Sequence, residues 1–170
     1  MKRFFGMMMA AMALSPCGVQ AQGVLLPDYA TAGQGMATAR DLTTAIGGMR
    51  KAIGDKSIAI QSVVSGNGAH AALEFWAKPL PPAVHSGEVE YVTVIEGSAT
   101  VIYGGTLTSP REVMPGLLQG DAIVGGQIRD LHPGDVLLIP SGMPHWFGPG
   151  KDGIAMLGIK FAPPSAKKAP

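Results

Sequence analysis

The chain is almost without cysteine. Cys17 is the only one in 170 residues, so no intrachain disulfide can staple the fold and stability must come from packing. Aromatic residues are sparse at 6% and charged residues at 15%. Thirteen basic side chains against twelve acidic ones leave a formal net charge of +1. Such a balance lacks the basic footprint of a nucleic-acid binder, and no nucleic-acid partner is expected. Long apolar runs are also missing. The longest, from Phe4 to Leu14, is too short to cross a bilayer comfortably, so no membrane span is expected.

What is present points to a packed, turn-rich domain. Apolar residues make up 46% of the chain, enough to bury a core and too many for a disordered segment. Glycine (24) and proline (14) are abundant without any collagen period, which favours short elements joined by tight turns. The length fits one domain.

The first 21 residues read as a secretory signal peptide. Lys2 and Arg3 precede the apolar stretch, and Val19-Gln20-Ala21 offers small residues at a cleavage point. Removing them leaves 149 residues, with 11 basic against 12 acidic side chains and a net charge of −1. Cys17 leaves with the leader, so the mature chain has no thiol nucleophile. A periplasmic or secreted location follows from this reading.

Four regions are expected: the leader at 1–21, an N-terminal segment with a helix at 22–56, a β-barrel at 57–161 and a disordered tail at 162–170. The helix is expected between Met36 and Ile53, where Leu42, Ile46, Met49 and Ile53 keep a 4-3-4 spacing. It should pack outside the barrel, with Arg40, Arg50 and Lys51 in water. Strands are expected at 57–66, 69–78 and 153–161, with two short ones flanking the turn His132-Pro133-Gly134-Asp135. Residues 90–105 read as a hairpin turned at Glu96-Gly97, and 106–125 as irregular. Short strands separated by turn residues indicate an all-β sandwich or barrel.

The chemistry centres on the histidines His70, His85, His132 and His145. His85 follows a Pro-rich turn and precedes Glu90, which shares a strand face with Val92 and Val94. If the valines fill the interior, Glu90 points inward as well, and a buried carboxylate needs a compensating partner such as a metal. His145 follows the apolar strand Val136–Ile139 and the turn Pro140-Ser141-Gly142. That turn is expected to aim its imidazole back into the barrel mouth.

These residues resemble the two motifs of the cupins. The second cupin motif is a glycine, five residues, Pro-x-Gly, two residues and a histidine; here it reads Gly134, DVLLI, Pro140-Ser141-Gly142, Met143-Pro144, His145. The first is His-x-His, three or four residues, Glu, six residues and Gly; here His85, Glu90 and Gly97 fit its end. The resemblance spans about residues 57 to 161. It implies a cupin-type double-stranded β-helix (jelly-roll) barrel with one N-terminal helix packed outside.

One position departs from the pattern. The first histidine of the motif would fall at Ala83. A typical cupin site has three histidines and a glutamate, and this chain keeps His85, Glu90 and His145 as metal ligands. Two imidazoles and a carboxylate suit Fe2+, Mn2+, Ni2+ or Zn2+.

The resemblance therefore implies a divalent-metal-dependent enzyme of oxygenase, isomerase or lyase type acting on a small polar metabolite. The alternative is a non-catalytic small-molecule-binding cupin with a degenerate metal site. Glu88, in strand parity with Glu90, is a candidate further ligand or catalytic base, or else a solvated loop carboxylate. His70 is expected at a rim and His132 in an exposed turn. Phe75 or Trp76, Tyr91 or Val92, and Phe147 are candidates for an apolar wall. Trp146 is placed to stack on His145 or shield the metal, and Arg111 to anchor an anionic substrate. The resemblance also implies a homodimer, with the 57–66 strand and the helix as the candidate contact.

Overall fold

The structure is a computed structural model that describes residues 22–66 and 69–161. The expected leader and tail lie outside the described residues. In chain order the elements are β1 (Gly23–Leu25), a 3-10 turn (Ala32–Gln34), α1 (Ala39–Ala52), β2 (Ile58–Gly66), β3 (Ala69–Trp76), β4 (Ala83–His85) and β5 (Val89–Tyr103). They continue with β6 (Thr106–Leu107), β7 (Arg111–Met114), β8 (Leu117–Gln119), β9 (Ile123–Val124), β10 (Gln127–Leu131), β11 (Val136–Ile139) and β12 (His145–Phe161). The fold is the expected all-β jelly-roll barrel with one helix outside.

α1 starts where its cap dictates. The Thr38 side chain accepts from the Asp41 backbone N–H, while the Asp41 carboxylate accepts from the Thr38 backbone N–H at 2.8 Å. This reciprocal capping box satisfies two otherwise orphaned donors. The apolar face of the helix, Ala45, Ile46, Met49 and Ile53, packs on Ala59, Val63, Leu73, Phe75 and Ala155. Gly47 and Gly48 sit where an added Cβ would meet nothing, so they weaken helix propensity without opening a hole in the core. Arg50 is not simply in water. Its guanidinium bonds Glu96 at 2.6 Å and the Asp152 carbonyl at 2.8 Å, and lies 4.5 Å above the Phe75 ring.

The spine of the barrel is the antiparallel pair β5 and β12, which run beside each other from Val89–Phe161 to Tyr103–His145. β12 also pairs with β3, and β3 with β2. β10 and β11 pair with the two halves of β5. Alternation then sorts the side chains. Val92, Val94, Val101, Ile139, Phe147, Ile154 and Met156 fill the barrel interior. On β3, Leu73 and Phe75 face α1, so Glu74 and Trp76 face the opposite way, inward.

Two readings of the sequence are corrected here. Residues 90–105 do not form a hairpin: β5 is one continuous strand through Glu96-Gly97. Gly97 does adopt a positive φ of 82°, and a Cβ there would strike the Gly153 carbonyl oxygen. The conformation serves a bulge, where the pairing with β12 shifts register beside Ile95. Residues 106–125 are not wholly irregular, since they supply β7 and β8, which extend the sheet beside β4, and contribute the small β6–β9 pair.

α1 and β2 spend much of their apolar surface on the protein's own core. A different face stays exposed: Leu138, Tyr91 and Ile159 lie side by side in register across β11, β5 and β12, each open to solvent.

Candidate metal centre

The Pro140-Ser141-Gly142 turn is stitched to the loop that follows His85. The Gly142 N–H donates to the His85 carbonyl at 2.9 Å, and the Ser141 hydroxyl accepts from the Gly87 N–H at 2.8 Å. Gly142 holds φ at 81°, which a residue with a side chain would adopt only with strain. Immediately after the turn, His145 opens β12 directly opposite Ala83 of β4. The rings of His85 and His145 stack at 5.3 Å between centroids, and Phe147 meets His145 edge-on at 5.9 Å.

Glu90 completes the group. Its Oε2 lies 3.8 Å from the Nε2 of His85 and 3.8 Å from the Nε2 of His145. One ligand atom from each residue lies within 4.8 Å of the others. The Nδ1 of His145 is 3.1 Å from the Met143 carbonyl. A carbonyl can only accept, so Nδ1 carries the proton and Nε2 presents its lone pair. Glu90 Oε2 is buried with no hydrogen-bond partner among the described residues. Lone pairs thus converge on one point, an arrangement that calls for a cation. Donors at these separations can share an ion at bond lengths of about 2.0–2.2 Å.

Protonation favours the same outcome. Burial, with Lys160 and His145 nearby, lowers the His85 pKa to about 3. Burial also lowers that of His145. Burial pushes Glu90 up to about 7, helped by Glu74 and Glu88 and opposed by Lys160. Both imidazoles are therefore neutral at physiological pH, the form that ligates metals.

The group sits in a cavity of about 320 Å³. Ala83 lines it, as do Trp76, Trp146 and Phe147. Phe75 and Tyr91 do not: Phe75 faces α1 and Tyr91 faces solvent, while Val92 belongs to the sealed interior. Trp146 lies over Gly148, and Phe147 is the ring that contacts His145. Glu88 is about half exposed, 3.7 Å from the Nδ1 of His85, on the opposite edge of the ring from Glu90. It is not among the residues that line the cavity. Arg111 is exposed and paired with Asp121 at 3.2 Å, away from the cavity. His70 and His132 are exposed as expected.

Two residues escaped the sequence reading. Glu74 is buried, bonded by the Trp76 indole N–H at 3.0 Å. Lys160 stands directly across from Glu90 in the β5–β12 ladder. Its Nζ is 3.6 Å from Glu74 Oε1 and 3.7 Å from Glu90 Oε1. Burial works against this ammonium, but Glu74, Glu90 and Glu88 outweigh it and hold its pKa above the usual lysine value. The available signal was parity: Lys160 is in phase with the interior residues Ile154 and Met156, and Glu74 with Trp76.

A family profile described as Cupin matches residues 79–169. The chain belongs to the cupin family. Among solved structures it is similar to oxalate oxidase, at 20% identity over 62% of this chain and 51% of that one, with a TM-score of 0.45. It is similar to hydroquinone 1,2-dioxygenase PnpCD in complex with Cd2+ and 4-hydroxybenzonitrile, at 21% identity over 61% and 63% of the two chains and a TM-score of 0.46. A predicted oxalate decarboxylase from Thermotoga maritima matches at 16% identity, over 62% and 81%, with a TM-score of 0.45. The matched regions span between half and two-thirds of the first two of these chains. A search of curated proteins returns no match.

Proposed function

We propose that the protein is a divalent-metal-dependent enzyme, of oxygenase, isomerase or lyase type, that acts on a small polar metabolite outside the cytoplasm. His85, Glu90 and His145 would hold the ion. The observation that carries this reading is the buried, unpartnered Glu90 Oε2 facing two imidazole nitrogens at 3.8 Å. Fe2+, Mn2+, Ni2+ and Zn2+ all suit a set of two imidazoles and a carboxylate. A bound ion of this kind supplies Lewis acidity and open positions for a ligand.

The chain's own residues do the rest. Met143 fixes the His145 tautomer, and Glu90 presents Oε2 to the two imidazoles. Trp76, Trp146 and Phe147 exclude water from the wall. Export is proposed from the leader pattern at 1–21. A homodimer is proposed through the exposed Leu138–Tyr91–Ile159 stripe rather than through the helix.

One observation favours a second reading, a binding protein without a metal: Lys160 already offers Glu90 a countercharge. Metal content after identical reconstitution separates the two. Wild type should hold about one equivalent, His145→Ala much less, and Ala83→His at least as much as wild type. Equal loading of all three, or none in any, removes these residues as the metal site.

A further inference from the structure

The charges lining the cavity show what kind of ligand it can take. Among the described residues, Glu74, Glu90 and Lys160 are the charged ones on its wall. Two carboxylates and one ammonium leave a net negative charge. A divalent ion on His85, Glu90 and His145 reverses the sign and leaves the cavity with one positive charge. Glu88 acts on the cavity from outside the wall and is about half exposed, so it counts for less than the lining charges.

Lys160 is also the donor with capacity to spare. Its side chain is 29% exposed and lines the cavity. Its contacts with Glu74 and Glu90, at 3.6 and 3.7 Å, exceed hydrogen-bonding length. An ammonium carries three donors, and a strong acceptor entering the cavity would meet one that is not committed. Beyond this polar floor the wall is mainly apolar, with Leu80, Leu117, Met114 and both tryptophans of the chain, and Gln22 and Gln119 are its uncharged polar members.

Resting on the metal-dependent reading above, we propose that the cavity selects a small monocarboxylate with an apolar body, and that Lys160 is its specificity-determining contact. The carboxylate neutralises the single positive charge of the loaded site, with one oxygen bonded by the Lys160 ammonium. The apolar body lies against Leu80, Leu117 and Trp146. Ligand binding is then ordered: metal first, anion second. A dianion would leave excess negative charge, and a neutral amide would offer the ammonium only an uncharged acceptor and leave the positive charge of the loaded site uncompensated.

The chain reports on this directly, because Trp76 and Trp146 both line the cavity and are its only tryptophans. Zinc binding to wild type and to Lys160→Met is measured first, by equilibrium dialysis. Hexanoate and its neutral isostere hexanamide are then titrated against intrinsic fluorescence, with and without Zn2+. The zinc-loaded wild type should bind hexanoate at least about tenfold tighter than hexanamide, the worth of a charge-assisted hydrogen bond. Metal-free wild type should show no such preference. Lys160→Met should bind zinc at least as tightly as wild type and lose the preference, and Lys160→Arg should restore part of it.

Absence of zinc from wild type overturns the metal-dependent reading and the charge reversal with it. Zinc bound normally, with hexanoate and hexanamide equal in wild type, overturns the ligand class. A preference that survives in Lys160→Met overturns the role of Lys160 alone. The wild-type arms need no substitution, so a variant that fails to fold does not spare the proposal.

Discussion

His145 and Glu90 face each other acceptor to acceptor, Nε2 to Oε2 at 3.8 Å, and both side chains are buried in the barrel. The Met143 carbonyl accepts from the N–H at the other ring nitrogen, Nδ1, so the imidazole cannot relieve the clash of lone pairs by donating from Nε2. Removing His145 should therefore remove a ligand and not merely a packing group. His145→Ala is expected to weaken zinc binding by at least about 100-fold, since even loss of an outer-shell partner costs 10–100-fold. Calorimetric titration of folded variant and wild type checks this, and equal affinities would dismiss His145 as a ligand.

Ala83 stands opposite His145 on the neighbouring strand. Opposed Cβ atoms in an antiparallel pair are about 4.5–5.5 Å apart. Ala83→His should thus bring a fourth donor to the ion, tightening zinc binding while filling space that a ligand needs. Hexanoate binding to the zinc-loaded variant should fall, as should any turnover. Looser zinc binding in a properly folded Ala83→His would show that position 83 does not reach the site.

The pH dependence of metal binding should report Glu90 rather than the imidazoles. Free imidazole would suggest a loss near 6.5, but His85 titrates at about 3 and burial lowers His145 too. Glu90, raised to about 7, is the first ligand to take a proton as pH falls. Zinc affinity should be flat above about 7.5 and drop about tenfold per pH unit below about 6.5, one proton displaced per ion. Lys160 holds the Glu90 pKa down, so Lys160→Met should move the onset to higher pH. A loss of two protons, or an onset near pH 5, would contradict this assignment.

The metal-free fold carries the opposite signs of these shifts. The depressed His85 contributes stability above the ordinary histidine pKa that is lost as pH falls toward about 3, and the lowered His145 acts in the same direction. Glu90, raised, contributes stability below the ordinary glutamate value that is lost as pH rises through about 7. Zinc removes the second loss by neutralising Glu90. Chemical denaturation should therefore show zinc stabilisation growing between pH 6 and 8; stabilisation independent of pH would argue against Glu90 as a ligand.

Gly97→Ala tests the bulge. The new Cβ would meet the Gly153 carbonyl oxygen, and the backbone there sits at φ 82°. Both penalties act together, and a loss of about 2–4 kcal/mol is expected. Thermal unfolding measures it. Wild-type stability in this variant would mean that residues 96–97 have room that the strand pairing denies them.

The sequence determined much of this protein on its own. The spacing from Gly134 through Pro140-Ser141-Gly142 to His145 marked a strand, a turn and an inward imidazole, because tight turns demand particular residues at particular offsets. The alternation of Glu90 with Val92 and Val94 put that carboxylate inside, because a strand has only two faces. Leu42, Ile46, Met49 and Ile53 marked the helix and its buried side.

Tertiary structure decided the rest. A positive-φ glycine looks the same in a hairpin turn and in a bulge; only the presence of β12 alongside both halves of β5 distinguishes them at Gly97. Strand parity places Glu74 and Lys160 on an inner face but does not say which strand lies across from it. Residues 74, 90 and 160 meet through pairings of β3 with β12 and of β12 with β5. Those long-range pairings bring an ammonium between two buried carboxylates. The charge of the cavity, and with it the class of ligand proposed here, depends on contacts between residues as much as 86 positions apart.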